Sequence, residues 1–373
     1  MNAFVYGVGS SNFGKQPEIR VEDLAARAIL EALSAAEVDT VEAVYVGTVF
    51  GPPGLSQRVL QRVGITRVPV LTIENTCASS TTAFHEAVTA VDAGRWDRAL
   101  ALGLEKMTSV GVGPIEPESS DPEARSGMAL PAIYAMSASR YIACFGLTET
   151  QLASVSVKNH RQALANPRAQ YRAKLSVEDV LSSRMIADPL TLYQCCAISD
   201  GAAAAVIGKD RGDRTDVRVR ASALRSGGLW DYRSAHVWGF EVTRDTAQTA
   251  FEQAALAPQD VDVFEVHDAF TIAEIVATEA LGLAPEGRGG ELVDSGHTAM
   301  GGRQPVNPSG GLLSRGHPVG ATGLAQVAEI VWQLSGAAAD RQVDGARIGL
   351  VETLGGGTAG IDGNGCVVTV LGG

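Results

Sequence analysis

Four short blocks of this 373-residue chain hold residue types and spacings that could do chemistry. The first is Glu74-Asn75-Thr76-Cys77-Ala78-Ser79-Ser80. A thiol at the start of a helix faces unpaired N–H groups and the positive end of the dipole, and both lower its pKa from about 8.5. A backbone N–H beside the sulfur can also stabilise a developing oxyanion. Cys77 is therefore a candidate nucleophile; a buried, inert cysteine fits the same residues. The second block is Asn307-Pro308-Ser309-Gly310-Gly311, followed by Gly316-His317-Pro318-Val319-Gly320-Ala321-Thr322-Gly323. It fixes a histidine at the start of a helix, among small residues that admit close backbone approach. A phosphate-cradling loop is the competing reading, but the block lacks the Lys-Ser/Thr of a P-loop and the Gly-x-Gly-x-x-Gly spacing. The third block, Glu265-Val266-His267-Asp268-Ala269-Phe270, ends a buried-looking strand, where sites form in α/β sheets. His267 could donate to a substrate carbonyl or be a satisfied structural histidine. The fourth, Glu352-Thr353-Leu354-Gly355-Gly356-Gly357, lets backbone amides approach a ligand closely, or is only a turn.

The elements around these blocks alternate. Strands are expected at Ala3–Val8, Val41–Val49, Pro69–Ile73 and Ala99–Leu104, and helices at Val21–Ala36, Gln57–Val63 and Ala78–Gly94. Alternation of this kind predicts a mostly parallel sheet covered on both faces. The stretch 107–190, with Pro114, Pro117, Pro122, Pro131, Pro167 and Pro189 and short helical patches, reads as a loop subdomain over the active site or as a surface insertion. Strands resume at Ala202–Gly208, Val217–Leu224 and Val261–Val266, and close the sheet at Ile348–Glu352 and Cys366–Leu371; helices fall at Thr246–Ala255, Thr271–Leu281 and Ala321–Leu334. The second half thus repeats the pattern of the first, which predicts a duplicated α/β fold: 1–106 with 191–212 as one half, 107–190 as the loop subdomain, 213–373 as the other half. His317 then holds in the second half the place that Cys77 holds in the first. A pseudo-twofold axis would bring imidazole and thiol together as base and nucleophile. His85, eight residues after Cys77 and about 12 Å along the helix, is too far to serve.

Composition narrows the function classes. Hydrophobic residues make up 45% and charged residues 19%, enough for a large core. With 30 Lys+Arg against 42 Asp+Glu the net charge is -12, which excludes a general nucleic-acid binder. Five cysteines, without a Cys-x-x-Cys pair or histidines at zinc-ligand spacing, fit a reducing cytoplasm with no disulfide framework and no metal site. The opening residues show no secretory leader, and no apolar run approaches the ~20 residues that span a membrane.

Taken together and in order, the four blocks resemble the thiolase superfamily over almost the whole chain. They are most similar to the sterol-carrier-protein type and its bacterial and archaeal, acetyl-CoA acetyltransferase-like relatives. Gly103-Leu104-Glu105-Lys106-Met107, Val157-Lys158-Asn159-His160, Ile186-Ala187-Asp188-Pro189-Leu190 and Cys195-Cys196-Ala197-Ile198-Ser199-Asp200-Gly201-Ala202-Ala203 add to the resemblance. It implies a duplicated five-layer α/β/α/β/α fold with mixed sheets, a homodimer, acyl-CoA as ligand and no tightly bound cofactor. Cys77 would accept the acyl group, His317 activate it, and His267 help an oxyanion hole. The Cys77 N–H and a glycine amide of the 355–357 turn would form another hole. Asn75, Gly355, Gly356, Asn307 and Gly316 would line the oxyanion and substrate sites, and His160 could line the pocket. In the basic cluster Arg161, Arg168, Arg172 and Lys174, Arg168 and Arg172 could meet the CoA phosphates, or the cluster is a solvated helix face. By resemblance alone, a small zinc-ribbon and OB-fold protein is a possible partner.

The chain departs from the family in one respect. Thiolases need a second cysteine to move a proton at the acceptor carbon. Its two family positions hold Thr353-Leu354 and Ala269 here, and Cys366 sits in an apolar strand that reads as core. Three readings follow: a Cys77 acyl-enzyme that makes or breaks a carbon–carbon bond with another proton carrier; a C-acyltransferase onto an activated 1,3-dicarbonyl or polyphenol; and a non-catalytic acyl-CoA-binding or scaffolding subunit. Cys77, His267 and His317 together argue against the last. A retro-aldolase, also known among these relatives, has no need of Cys77.

Overall fold

The computed structural model describes residues 1–111, 115, 120–121, 125–210, 217–230, 233–356 and 360–373. Pro114, Pro117, Pro122, Gly357 and the expected 212/213 boundary lie outside the described residues. In chain order the elements are β1 (Phe4–Ser10), α1 (Val21–Ala35), β2 (Ala43–Gly47), α2 (Leu55–Arg62), β3 (Val70–Ile73), α3 (Ser79–Asp92) and β4 (Arg98–Lys106). Then come α4 (Leu130–Phe145), α5 (Glu149–Ala163), α6 (Val177–Leu181), β5 (Met185–Ala187), β6 (Leu190–Thr191), β7 (Asp200–Gly208) and β8 (Arg218–Arg225). The chain continues through α7 (Phe240–Ala254), β9 (Val263–Glu265), α8 (Thr271–Ala280), α9 (Gly289–Asp294), α10 (Gly311–Arg315), α11 (Thr322–Leu334), β10 (Ile348–Gly355) and β11 (Gly365–Gly372).

Nine strands run in the order β3-β2-β4-β7-β1-β8-β11-β10-β9. The first five belong to the N-terminal half and the last four to the C-terminal half. They meet where β1 and β8 pair at Phe4 and Arg218, with backbone bonds of 2.9 Å from Val5 N to Val217 O and from Val219 N to Ala3 O. The mostly parallel sheet expected from the sequence is corrected to a mixed one. Among the described strands, β2–β3, β2–β4 and β9–β10 are the parallel pairs. β7 inserts antiparallel between β4 and β1, and β11 antiparallel between β8 and β10. The long excursion before β7 delivers it from the opposite end of the sheet, a reversal that local patterning does not encode.

The layers follow from strand alternation. On β4, Ala99 and Ala101 face the centre, while Leu100, Leu102 and Leu104 pack under α1. β7 repeats this, with Ala203, Ala205 and Ile207 inward and Ala202, Ala204 and Val206 under α1. α3 and α11 form the central layer, packed against each other and against strands of both halves; α1 with α2 covers one outer face and α7 with α8 the other. The result is α/β/α/β/α. The small inward residues let the central helices come close. A Cβ on Gly47 would sit 2.5 Å from the Ser80 backbone, and one on Gly103 2.5 Å from Ser80 Cβ and 2.7 Å from Gly320 O. Both glycines abut the starts of the two central helices, where the site lies.

Two helical expectations are corrected. The region read as short helical patches contains α4 and α5, of 16 and 15 residues. Pro131, read there as a loop residue, stands in the first turn of α4, where its missing N–H costs nothing. α5 opens on a capping box between Thr148 and Gln151. The helix expected from Thr246 begins at Phe240, because Asp362 accepts from the N–H groups of Gly239 and Val242. That cap comes from 120 residues away, beyond the reach of any local signal.

Candidate active site

Cys77 sits on a sharp strand-to-helix turn between β3 and α3. Thr76 adopts φ 46°, a left-handed conformation costly for a β-branched residue, and the surrounding bonds hold it there. Its N–H donates to Glu74 at 2.7 Å, Ser79 Oγ donates to its carbonyl at 2.6 Å, and the Asn75 N–H donates to Ser79 Oγ at 2.8 Å. A Cβ on Gly355 would collide with Thr76 Oγ1, so the end of β10 presses directly on this turn. The adjacent Gly356 amide lies on the side of the Cys77 sulfur and favours its charged form.

The structure brings three of the expected residues together. The Cys77 sulfur and one ring nitrogen each of His267 and His317 all lie within 4.8 Å of one another, and all three residues are buried. The two imidazoles meet edge to face at 5.1 Å. His317 is held by its N–H, which donates to Ser199 Oγ at 3.0 Å. Its Nδ1 lies 2.7 Å from Thr322 Oγ1, whose hydroxyl donates to Pro318 O at 3.0 Å. Thr322 has one proton to give and Pro318 receives it, so Nδ1 carries the hydrogen and Nε2 keeps a free lone pair. Burial, with Arg315 nearby, lowers the His317 pKa to about 3, so the imidazole is neutral.

The lowered pKa expected at Cys77 is corrected to a raised one. Burial raises its pKa to about 11, with Glu105 and Glu74 pushing the same way, against the hydrogen bonds from the Gly356 and Cys77 amides. Desolvation of the charged sulfur outweighs those two amides. A neutral base beside a protonated nucleophile is the arrangement left, and it can transfer a proton on demand.

His267 follows β9, and its N–H donates to Glu352 Oε2 at 2.8 Å. Its Nδ1 has no hydrogen-bond partner among the described residues. Burial, His317 and Arg315 push its pKa well down, so it too is neutral. Behind it lies a buried polar frame. Asn307, at φ 58°, accepts from the Val266 N–H and donates to Glu274, both at 2.9 Å. Asp268 accepts from Asn159 at 2.7 Å and from the Leu312 N–H at 2.6 Å. Asn307 therefore acts on the strand end that carries His267, a correction to its expected place on the substrate. Asn75 is corrected likewise: its side chain lies against Gly365 and donates to Thr82 at 3.0 Å. Gly316, at φ 111°, leaves room for Ser199 Oγ beneath His317.

The expected CoA contacts are not presented as one patch. Arg168 is bound to Glu31 at 2.6 Å and to Ser10 O, and lies over Trp332 at 4.9 Å, so it clasps the scaffold. Arg172 is exposed, as are Arg161 and Lys174. Buried His160 donates to Ser156 O at 3.0 Å between Tyr171 and Tyr193. His85 bonds Ser222 at 2.9 Å, and Cys366 is in the core of the C-terminal half.

Four residues gain roles that the sequence blocks did not single out. Glu105 accepts from the N–H groups of Val49, Phe50 and Gly320 and from Thr48, tying the N-terminal half to the start of α11. Tyr134 of α4 stacks on Phe270 at 4.3 Å and faces His267 across a cavity. The Cys196 N–H donates to Ala269 O at 2.9 Å, which puts a second thiol beside the His267 loop. Glu352 lies under His267. Only the pairing of β10 with β9 reveals the last of these, and no signal in sequence spacing marks it.

Known proteins resemble this chain in sequence and in fold. A family described as "Thiolase, N-terminal domain" matches residues 5–211, and one described as "Thiolase C-terminal domain-like" matches residues 230–361. The acetyl-CoA acetyltransferase of Methanothermobacter thermautotrophicus is 41% identical, covering 96% of this chain and 97% of that one. The benzoylsuccinyl-CoA thiolase subunit BbsB of Thauera aromatica is 37% identical over 95% and 94%. Sterol carrier protein 2 of Oryctolagus cuniculus is 35% identical over 96% of this chain and 70% of its own length. Among solved structures, an Ltp2-ChsH2(DUF35) aldolase superposes with a TM-score of 0.82 at 25% identity, covering 99% of this chain and 97% of that one. Human mitochondrial 3-ketoacyl-CoA thiolase shares the fold, with a TM-score of 0.76 at 17% identity over 99% and 98%.

Proposed function

The chain belongs to the thiolase family and is an acyltransferase, and from that premise we propose that it forms or cleaves a carbon–carbon bond through an acyl-enzyme on Cys77. The observation that carries this is the convergence of the thiol with two neutral imidazoles inside 4.8 Å. His317 Nε2 takes the Cys77 proton as the sulfur attacks the thioester carbonyl. The Cys77 and Gly356 amides, which flank the sulfur, face the oxyanion. The tetrahedral adduct collapses, its carbon–sulfur bond to CoA breaks, and His317 returns the proton to the departing CoA thiolate. The acyl-enzyme then awaits an acceptor carbon, for which His267 offers a ring nitrogen to a second oxyanion.

A donor CoA thioester as substrate agrees with relatives named for acetyl-CoA and benzoylsuccinyl-CoA. An activated acceptor such as a 1,3-dicarbonyl or polyphenol would need less base. The aldolase relative is named with a DUF35 chain and the benzoylsuccinyl-CoA relative as a subunit; both names support the small accessory protein expected here. A homodimer is supported by β3, an outer strand of the sheet that leaves Leu71 41% exposed, an edge that a second copy could cover.

Intact mass after incubation with a panel of acyl-CoAs tests the reading. The expected result is one acyl group gained by the wild type and none by Cys77→Ala. No gain in the wild type, alone or with an accessory chain, would favour the non-catalytic binding subunit.

A further inference from the structure

Glu352 differs from the other buried acids of this protein. Among the described residues every other buried acid, Glu279 and Asp362 included, accepts two or more hydrogen bonds or pairs with a cation. Glu352 is 1% exposed and accepts, among the described residues, one hydrogen bond, from the His267 N–H. A carboxyl placed for structure alone would be better satisfied at such burial. Along β10 its side chain alternates with that of Thr353, which turns away to donate to Gln326 at 2.8 Å. Glu352 instead lines a small cavity together with His267, Tyr134, Trp238, Ile272 and Leu354. The unpartnered Nδ1 belongs to that same His267, one ring nitrogen of which lies within 4.8 Å of the Cys77 sulfur.

We propose that Glu352 is the catalytic acid–base for the acceptor carbon, supplying across the His267 cavity what Ala269 and Thr353 cannot. The inference rests on the acyl-enzyme reading above. In the condensing direction the carboxylate removes a proton from the carbon next to the acceptor thioester. The C–H electron pair becomes the enolate, whose carbon attacks the Cys77 acyl carbonyl. The new carbon–carbon bond forms, the carbon–sulfur bond to Cys77 breaks, and the proton rests on Glu352 until it passes to the solvent or to the free thiolate. In cleavage, the protonated carboxyl gives its proton to the departing carbon. Burial brings this carboxyl up to about 7, eased by the His267 N–H, which is where a general base at neutral pH works best.

The test compares wild type, Glu352→Gln and Cys196→Ala with [2H3]acetyl-CoA in water. Gln keeps the shape and can still accept from the His267 N–H. The expected result is normal acylation of Cys77 by intact mass in Glu352→Gln, with loss of deuterium from the acetyl methyl slowed about 10²–10⁴-fold, and near wild-type exchange in Cys196→Ala. Wild-type exchange in Glu352→Gln overturns the proposal, and slow exchange confined to Cys196→Ala overturns it in favour of that thiol. Absence of acylation in the wild type fails the acyl-enzyme reading and this inference with it; acylation without exchange in the wild type fails this inference alone.

Discussion

At the scale of single residues, Cys77, His267 and His317 are neutral groups, made so by burial. Because His317 titrates near 3 and Cys77 near 11, neither changes state between about pH 5 and 9. Pre-steady-state acylation of Cys77 should therefore be flat across that window and rise only towards pH 11, which stopped-flow release of CoA would show. Thr322→Val removes the acceptor that fixes the His317 tautomer while nearly conserving volume. It should slow acylation about tenfold, the worth of one buried hydrogen bond of ~1–1.5 kcal/mol. Glu352 also makes a prediction about stability. His267, Tyr134 and Cys366 are the titratable groups that face it. Its carboxyl is held near 7 in the fold against 4.5 when free. Below pH 4.5 both states are protonated and burial carries no charge cost. As pH rises from 4.5 through 7 the unfolded chain ionises first, so the wild type loses stability, by about 3 kcal/mol in full. Glu352→Gln lacks that loss, and urea melts at pH 8 should find it more stable than the wild type.

At the scale of elements, the site depends on how closely two helix starts can approach the sheet. Gly103 lies beneath both, with Ser80 of α3 on one side and the Gly320 carbonyl before α11 on the other. Gly103→Ala should separate the turns that carry Cys77 and His317. About 1–3 kcal/mol of stability should be lost on overpacking, and acylation should fall with it, as thermal melts and intact mass would report. The strained Thr76 turn belongs to the same scale. Three local hydrogen bonds and the press of Gly355 keep the sulfur at the end of β3, where a relaxed turn would carry it away.

Across the whole molecule, Cys77 and the two histidines beside it come from opposite halves, so any tie between halves is also a tie within the candidate site. Glu105 is the clearest, a single carboxylate from β4 that collects N–H groups from Val49, Phe50 and Gly320. Glu105→Gln replaces one accepting oxygen with a donor that faces other donors. It should cost about 1–3 kcal/mol and loosen the approach of His317 to Cys77, read as slower acylation at unchanged secondary structure. The His85–Ser222 bond and the β1–β8 seam join the halves elsewhere.

Much of this protein was legible in its sequence for a physical reason: local patterns encode local structure. Hydrophobic period placed most strands and helices within a few residues. The pairing of a strand-to-helix cysteine with a Gly-His-Pro turn in a repeated α/β pattern anticipated the contact of Cys77 and His317. Tertiary structure decided what depends on distant neighbours. The antiparallel entry of β7, the cap that Asp362 gives α7 and the clasping of Arg168 by Glu31 all join residues far apart in the chain. The raised pKa of Cys77 was decided there too, because the burial that desolvates its sulfur is not visible in sequence. Glu352 is the plainest case. In sequence it is one acid at the end of a strand, and only the packing of β10 against β9 sets its carboxyl under His267, with a single hydrogen bond among the described residues.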